Sequence, residues 1–211
     1  MPRLVDHAER REQITDAARR VIGRDGLDAA TFQAVAAEAG VSVRLVQYYF
    51  GNKGGLLAAT HRAVVDASAA RFGADGPAPG TLPPPRDVLR GVVAALLPLD
   101  AQRRADAVVL AAFHAAALTR DAAAREALLP APRALVDVVA AQLDRARAAG
   151  LPRRGRRDVE TSRDAELVLA ALAGLTQSVV AGHLDAQQSL AVAERLLDHL
   201  FAAPAGGPAP T

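Results

Sequence analysis

Between Ser42 and Lys53 the chain places side chains suited to the base edges and phosphates of duplex DNA. Arg44 and Gln47 can make forked hydrogen bonds to purine edges, and Val43 can touch a thymine methyl. Ser42 and Tyr48 carry hydroxyls that reach phosphate oxygens. Val41, Leu45 and Val46 are the apolar positions of the same stretch and turn inward, which leaves Ser42, Val43, Arg44, Gln47 and Tyr48 on the outward side.

Positioning these groups takes two short helices. Thr31 is a good N-cap, and after it Phe32, Val35 and Ala36 recur at helical spacing as one apolar face. Ala39 and Gly40 end that helix, glycine suiting the left-handed conformation common at a helix C-terminus. Ser42 can then cap a second helix through Val43, Arg44, Leu45, Val46 and Gln47. The stretch from Thr31 to Lys53 is therefore predicted to be a helix-turn-helix, whose second helix enters the major groove while the first crosses the backbone.

The pattern TxxxVAxxAGVS, followed by YF, a Gly-Asn-Lys turn and Leu56-Leu57, resembles the DNA-binding domain of the tetracycline-repressor (TetR) family, from about Arg10 to Leu57. The resemblance implies that Lys53 opens the following helix beside the DNA backbone. Arg10 and Arg11 are either a solvated face balanced by Glu9, Glu12 and Asp16 or, as the resemblance implies, close to phosphate, and Thr31 is counted with the DNA-facing set. Where the family often has a phosphate-binding tyrosine this chain has Gln47, and Tyr48 supplies the neighbouring hydroxyl.

Composition sets the frame. The 211 residues are 51% hydrophobic and 23% charged, the balance of a folded chain, and aromatics make up only 3%. With alanine dominant, this favours closely packed helices over sheets, so the expected fold class is all-α. There is no cysteine, which excludes disulfides and thiolate metal sites. The first residues are too polar for a signal peptide and no apolar run reaches bilayer length, so a cytoplasmic protein without a membrane partner is expected. The formal net charge of +2 does not by itself argue for nucleic acid, and Lys53 is the only lysine. No phosphate-binding glycine loop, HExxH pair or GxSxG elbow is present, so no enzyme activity, cofactor or metal is expected.

Taken in order, Ile14, Ala17, Ala18, Val21 and Ile22 trace an amphipathic helix from Arg10 to Arg24. A fourth helix runs from about Asn52 to Phe72, with a stripe at Leu57, His61, Val64, Val65, Ser68 and Phe72. The proline-rich Gly73 to Pro85 is a loop. Five helical stretches follow: Arg86 to Leu97, Ala101 to Leu118, Asp121 to Ala149 with prolines 130 and 132 interrupting it, Asp164 to His183, and Ala186 to Phe201. The basic Arg153 to Arg157 is read as a solvated loop and residues 204–211 as a disordered tail. The domains expected are 1–51, the helix-turn-helix unit, and 52–203, a helical unit for ligand binding and dimerisation.

Ala101 to Leu118 is apolar nearly all round, which predicts a buried helix and a His114 in need of a partner. His114 is either a satisfied core histidine or a polar anchor in an apolar cavity with His61, Val65, Phe72, Leu110, Phe113 and Gln177. The last two helices combine small residues with Leu172, Leu175, Val179, Leu190, Leu197 and Phe201. These are either an ordinary intrachain core or, as the resemblance implies, a four-helix seam with a second copy. The leading expectation is a homodimeric regulator, most often a repressor in the resembled family. It binds palindromic double-stranded operator DNA until an unidentified small molecule releases it. The competing reading is a helical small-molecule binding protein that has lost DNA binding.

Overall fold

The computed structural model describes residues 3–74, 82–118, 130–149 and 158–201. Among these residues it contains nine α-helices and no strand. They are α1 (Arg3–Asp25), α2 (Phe32–Ala39), α3 (Val43–Phe50), α4 (Lys53–Ala74), α5 (Pro85–Leu96), α6 (Ala101–Leu118), α7 (Pro130–Ala148), α8 (Asp158–Val180) and α9 (Ala186–Phe201). Of the loop expected from Gly73 to Pro85, residues 75–81 fall outside the described residues, while Gly73 and Ala74 belong to the end of α4 and Pro85 opens α5. The basic Arg153 to Arg157 and the tail 204–211 also fall outside the described residues. The stretch expected from Asp121 is described from Pro130 onward, and its two prolines stand at the start of α7, where a missing N–H costs least.

By packing, the chain divides into two units, one of residues 1–68 and 101–130, the other of 69–100 and 131–211. In the first, the apolar stripe of α1 (Ile14, Ala17, Ala18, Val21, Ile22) is buried with Val35, Ala36 and Ala39 of α2, Val46 and Phe50 of α3, and Leu56, Leu57 and Val64 of α4. Val109, Phe113 and Ala117 of α6 complete this core. Asp106, one turn earlier on α6, is 2% exposed and is held by Arg19 of α1 and by Gln102.

The covered face of α6 is narrower than its apolar content implies. Asp106, Val109, Phe113 and Ala117 are buried, whereas His114 is exposed, which corrects the expectation of a buried histidine at that position. The reason is rotational: the residue after Phe113 lies about 100° further round the helix.

In the second unit Leu89, Val92, Val93 and Leu97 pack with Val139 and Leu143 of α7, Ala165, Val168, Leu172 and Leu175 of α8, and Ala193 and Leu197 of α9. Arg86 bridges Glu194 and Asp198, and Arg90 reaches Glu194 at 2.6 Å, tying α5 to α9. Of the two readings left open for the last two helices, the packing within one chain matches the intrachain core. Leu172 and Leu197 are 1% and 0% exposed within a single chain, and Leu175 and Val179 are also buried, so most of the surface of these four is spent on the chain's own core. Leu190 and Phe201 are half-buried against the same core. The opposite face of α8 is the open one: Leu167, Ala170, Ala173, Gly174 and Gln177 are exposed, and a Cβ built on Gly174 would meet nothing within 4 Å.

Candidate nucleic-acid interface

The turn between α2 and α3 is made by local chemistry. Thr31 Oγ1 accepts from the Ala34 N–H at 3.1 Å and starts α2. Gly40, at φ 66°, ends it, with the Val41 N–H reaching back to the Ala36 carbonyl at 3.0 Å. Two residues later Ser42 Oγ accepts from the Leu45 N–H at 3.2 Å and starts α3. With only Val41 and Ser42 between Gly40 and α3, the second helix has little freedom to swing.

Burial then sorts the residues of α3. Val46 and Phe50 enter the core and Leu45 is half-buried, while Ser42, Val43, Arg44, Gln47 and Tyr48 are all exposed. Tyr48 is 74% exposed and Val43 40%. The face thus presents a guanidinium, a carboxamide, two hydroxyls and an isopropyl group side by side, the set needed to read base edges and hold phosphates.

The helix-turn-helix is fastened to its neighbours by side chains that close orphan helix-end carbonyls. Gln13 Nε2 donates to the Ala39 carbonyl at the end of α2 at 2.8 Å. Arg11 donates to the Tyr49 carbonyl at the end of α3 at 2.8 Å, and its guanidinium lies 4.8 Å from the centre of the Phe50 ring. His7 Nδ1 shares a hydrogen bond of 2.7 Å with the Tyr49 hydroxyl. Arg20 and Arg24 clasp Glu38 of α2, and hydrogen bonds from Arg20 and then Arg24 hold its carboxyl below the usual carboxylate range.

Arg10 and Arg11 are exposed or half-exposed near the start of α1, but each has an internal partner, Arg10 with Gln13 and Arg11 with α3. Sequence reading placed Arg11 beside phosphate and missed its part in seating α1 on α3. His7 was missed altogether. The only signal available was that residues 7 and 11 share a helix face.

Past α3, Asn52 caps α4 by accepting from the Gly55 N–H at 2.9 Å, and Lys53 Nζ donates to the Asp28 carbonyl at 2.9 Å while remaining exposed. Gly55 is required by closeness: a Cβ there would stand 2.3 Å from the Phe50 carbonyl oxygen.

The ligand candidates fall on both packing units. In the first, the rings of His61 and Phe113 meet edge to face at 5.1 Å, and Val65 and Leu110 are half-buried. Burial, and then the nearby His114, push the His61 imidazole below the ordinary histidine value. In the second, Gln177 stands on the exposed face of α8, and the Phe72 side chain lies outside the described residues.

Two family models match the chain. Bacterial regulatory proteins of the tetR family match residues 14–60, and the BetI-type transcriptional repressor C-terminal domain matches residues 85–202, more than half the chain. An HTH-type transcriptional regulator BetI from Burkholderia thailandensis is 42% identical over 98 residues, covering 45% of this chain and 48% of that protein. One from Paraburkholderia phytofirmans is 45% identical over 65 residues, 31% of this chain and 33% of its own. The matches thus span about half or less of these curated relatives. Among solved structures, a regulator from Saccharomonospora viridis in complex with choline superposes with a TM-score of 0.78 at 21% identity, covering 91% of this chain and 97% of that one. A TetR transcription regulator from Haloarcula marismortui gives 0.74 at 19%, covering 92% and 99%. At those identities the likeness shows the fold.

Proposed function

This chain belongs to the TetR family of bacterial regulatory proteins, with a BetI-type C-terminal domain, and from that premise we propose that it is a DNA-binding transcriptional regulator released from its operator by a small organic ligand. The observation that carries the reading is the exposed face of α3, where Val43, Arg44, Gln47 and Tyr48 stand together on a helix whose start is fixed by Ser42.

A single helix-turn-helix reads half a palindrome, so the working form is a homodimer with its two α3 helices about 34 Å apart, one turn of duplex. The open stripe of Leu167, Ala170, Ala173, Gly174 and Gln177 on α8, with Val192 and His199 exposed on α9, supports a seam between copies. Control follows from differential affinity: the ligand favours a dimer geometry in which the two helices no longer match successive grooves. The Saccharomonospora neighbour makes choline the first ligand to test.

The competing reading, loss of DNA binding, rests on Gln47 in place of a tyrosine. Tyr48 stands exposed beside it and keeps a phenol on the same face. No helix among the described residues is long and apolar enough to cross a membrane.

The test is selection from a random duplex library and from genomic fragments at physiological salt. A palindromic sequence recovered and then released by a ligand supports the reading; folded protein that retains no specific duplex refutes it.

A further inference from the structure

His7 lies outside the helix-turn-helix, yet it touches the one part of that motif that borders the DNA-reading face. Its Nδ1 and the Tyr49 hydroxyl are 2.7 Å apart, with the two rings 5.7 Å apart and inclined at 61°. The Tyr49 ring in turn meets the Tyr48 ring edge to face, at 5.3 Å and 84°. Tyr49 is also held from behind, because Arg11, one turn after His7 on α1, donates to its backbone carbonyl at 2.8 Å. Tyr49 is half-buried and Tyr48 is 74% exposed, so a fixed ring supports a free one.

A phenol that exposed has two side-chain torsions to lose on binding a phosphate. A neighbouring ring that limits its swing lowers that cost. We propose that His7 is a positioning residue for DNA binding: by holding the Tyr49 phenol it fixes the ring against which Tyr48 rests, so that the Tyr48 hydroxyl is presented toward the phosphate backbone. The proposal rests on the DNA-binding reading and adds to it a residue from the start of α1.

The chain offers its own probe. Tyr48 and Tyr49 are its only tyrosines and it has no tryptophan, so tyrosine emission reports on this cluster alone. An imidazole bonded to a phenol quenches that emission by taking its proton in the excited state. His7→Leu should therefore brighten the free protein, His7→Asn should restore a polar partner near the Nδ1 position, and His7→Leu should add nothing in a Tyr49→Phe background.

Binding is then measured on the duplex that the wild-type protein selects from a random library. His7→Leu and Tyr49→Phe should each weaken binding about fivefold, the worth of one net hydrogen bond, and the double variant by about the same fivefold because both remove one link. His7→Asn should bind within about twofold of wild type, since it keeps that bond. Losses that multiply in the double variant, or a His7→Leu protein that binds and emits like wild type, overturn the proposal and leave the DNA-binding reading standing. A wild-type protein that selects no duplex overturns that reading and this role with it.

Discussion

Replacing Asp106 by alanine takes one partner out of a buried ion pair that joins α1 to α6 within the first packing unit. The carboxylate is 2% exposed and receives the Arg19 guanidinium together with the Gln102 carboxamide. Breaking a buried pair from one side costs about 3 to 5 kcal/mol, mostly because the remaining charge is left desolvated. Here the lower end applies: Arg19 is 17% exposed and keeps Asp16 at 3.0 Å, so its charge is not stranded. A loss of about 3 kcal/mol, with a urea slope of about 2 kcal/mol/M, moves the midpoint down by about 1.5 M. Tyrosine emission should follow that midpoint, since both tyrosines lie in the first unit. The paired replacement Arg19→Met with Asp106→Leu removes both charges and should cost less than Asp106→Ala alone. If Asp106→Ala shifts the midpoint by less than about 0.25 M, roughly 0.5 kcal/mol, the carboxylate contributes no more than a surface group. A paired variant as unstable as the sum of its singles refutes the argument from desolvation.

Other tests bear on separate parts of the molecule. Arg44→Ala should weaken specific binding by about 1 to 3 kcal/mol and relax preference at one base position, as loss of a forked base contact does. Lys53→Ala should weaken binding to all duplexes and flatten the salt dependence; the same profile from both variants in a library assay would erase the distinction between reader and anchor. Gly174→Arg should leave the chain folded but monomeric by sedimentation, because its Cβ meets open space within the chain, whereas Leu197→Glu should unfold the second unit instead of merely separating copies. A dimeric, folded Gly174→Arg protein would move the seam elsewhere. For His61, burial and then His114 hold the folded imidazole below its ordinary value of about 6.5, so the unfolded chain takes up a proton that the folded chain resists. That stabilising difference is undiminished above the ordinary value and is lost as pH falls from it through the lowered folded value. Urea midpoints at pH 7.5 and 5.5 should therefore fall more for wild type than for His61→Gln, and equal falls would dismiss the effect.

The parts legible in the sequence were those fixed by residues close together along the chain. Thr31, Gly40 and Ser42 set three helix ends and the turn between the two helices through bonds that span three to five residues, and spacing alone separates Val46 from Val43, Arg44 and Tyr48. The α1 stripe and the limits of α6 and α9 were readable for the same reason. What failed depended on which face a distant element covers. In alanine-rich α6 and α8 the apolar count is high all round, so the sequence did not say that His114 would be exposed, and it left Leu172 of α8 and Leu197 of α9 open between the chain's own core and a seam. Long-range polar links were hidden too. Asp106 is an acid in a largely apolar helix, and nothing near it in the sequence names Arg19 as its partner, 87 residues away.

The first packing unit is not continuous in the gene. The chain builds most of it by residue 68, leaves, and returns at 101 to lay α6 into its core. A stop codon or fusion junction placed after residue 68 would therefore release an N-terminal head lacking Val109, Phe113 and Ala117, with the matching apolar surface of the remaining helices bare to solvent and to proteases. For the same reason the head cannot be traded as a cassette. A chimera that grafts another protein's C-terminal helices after α4 must bring a sixth helix matched to this core, or carry the native one across.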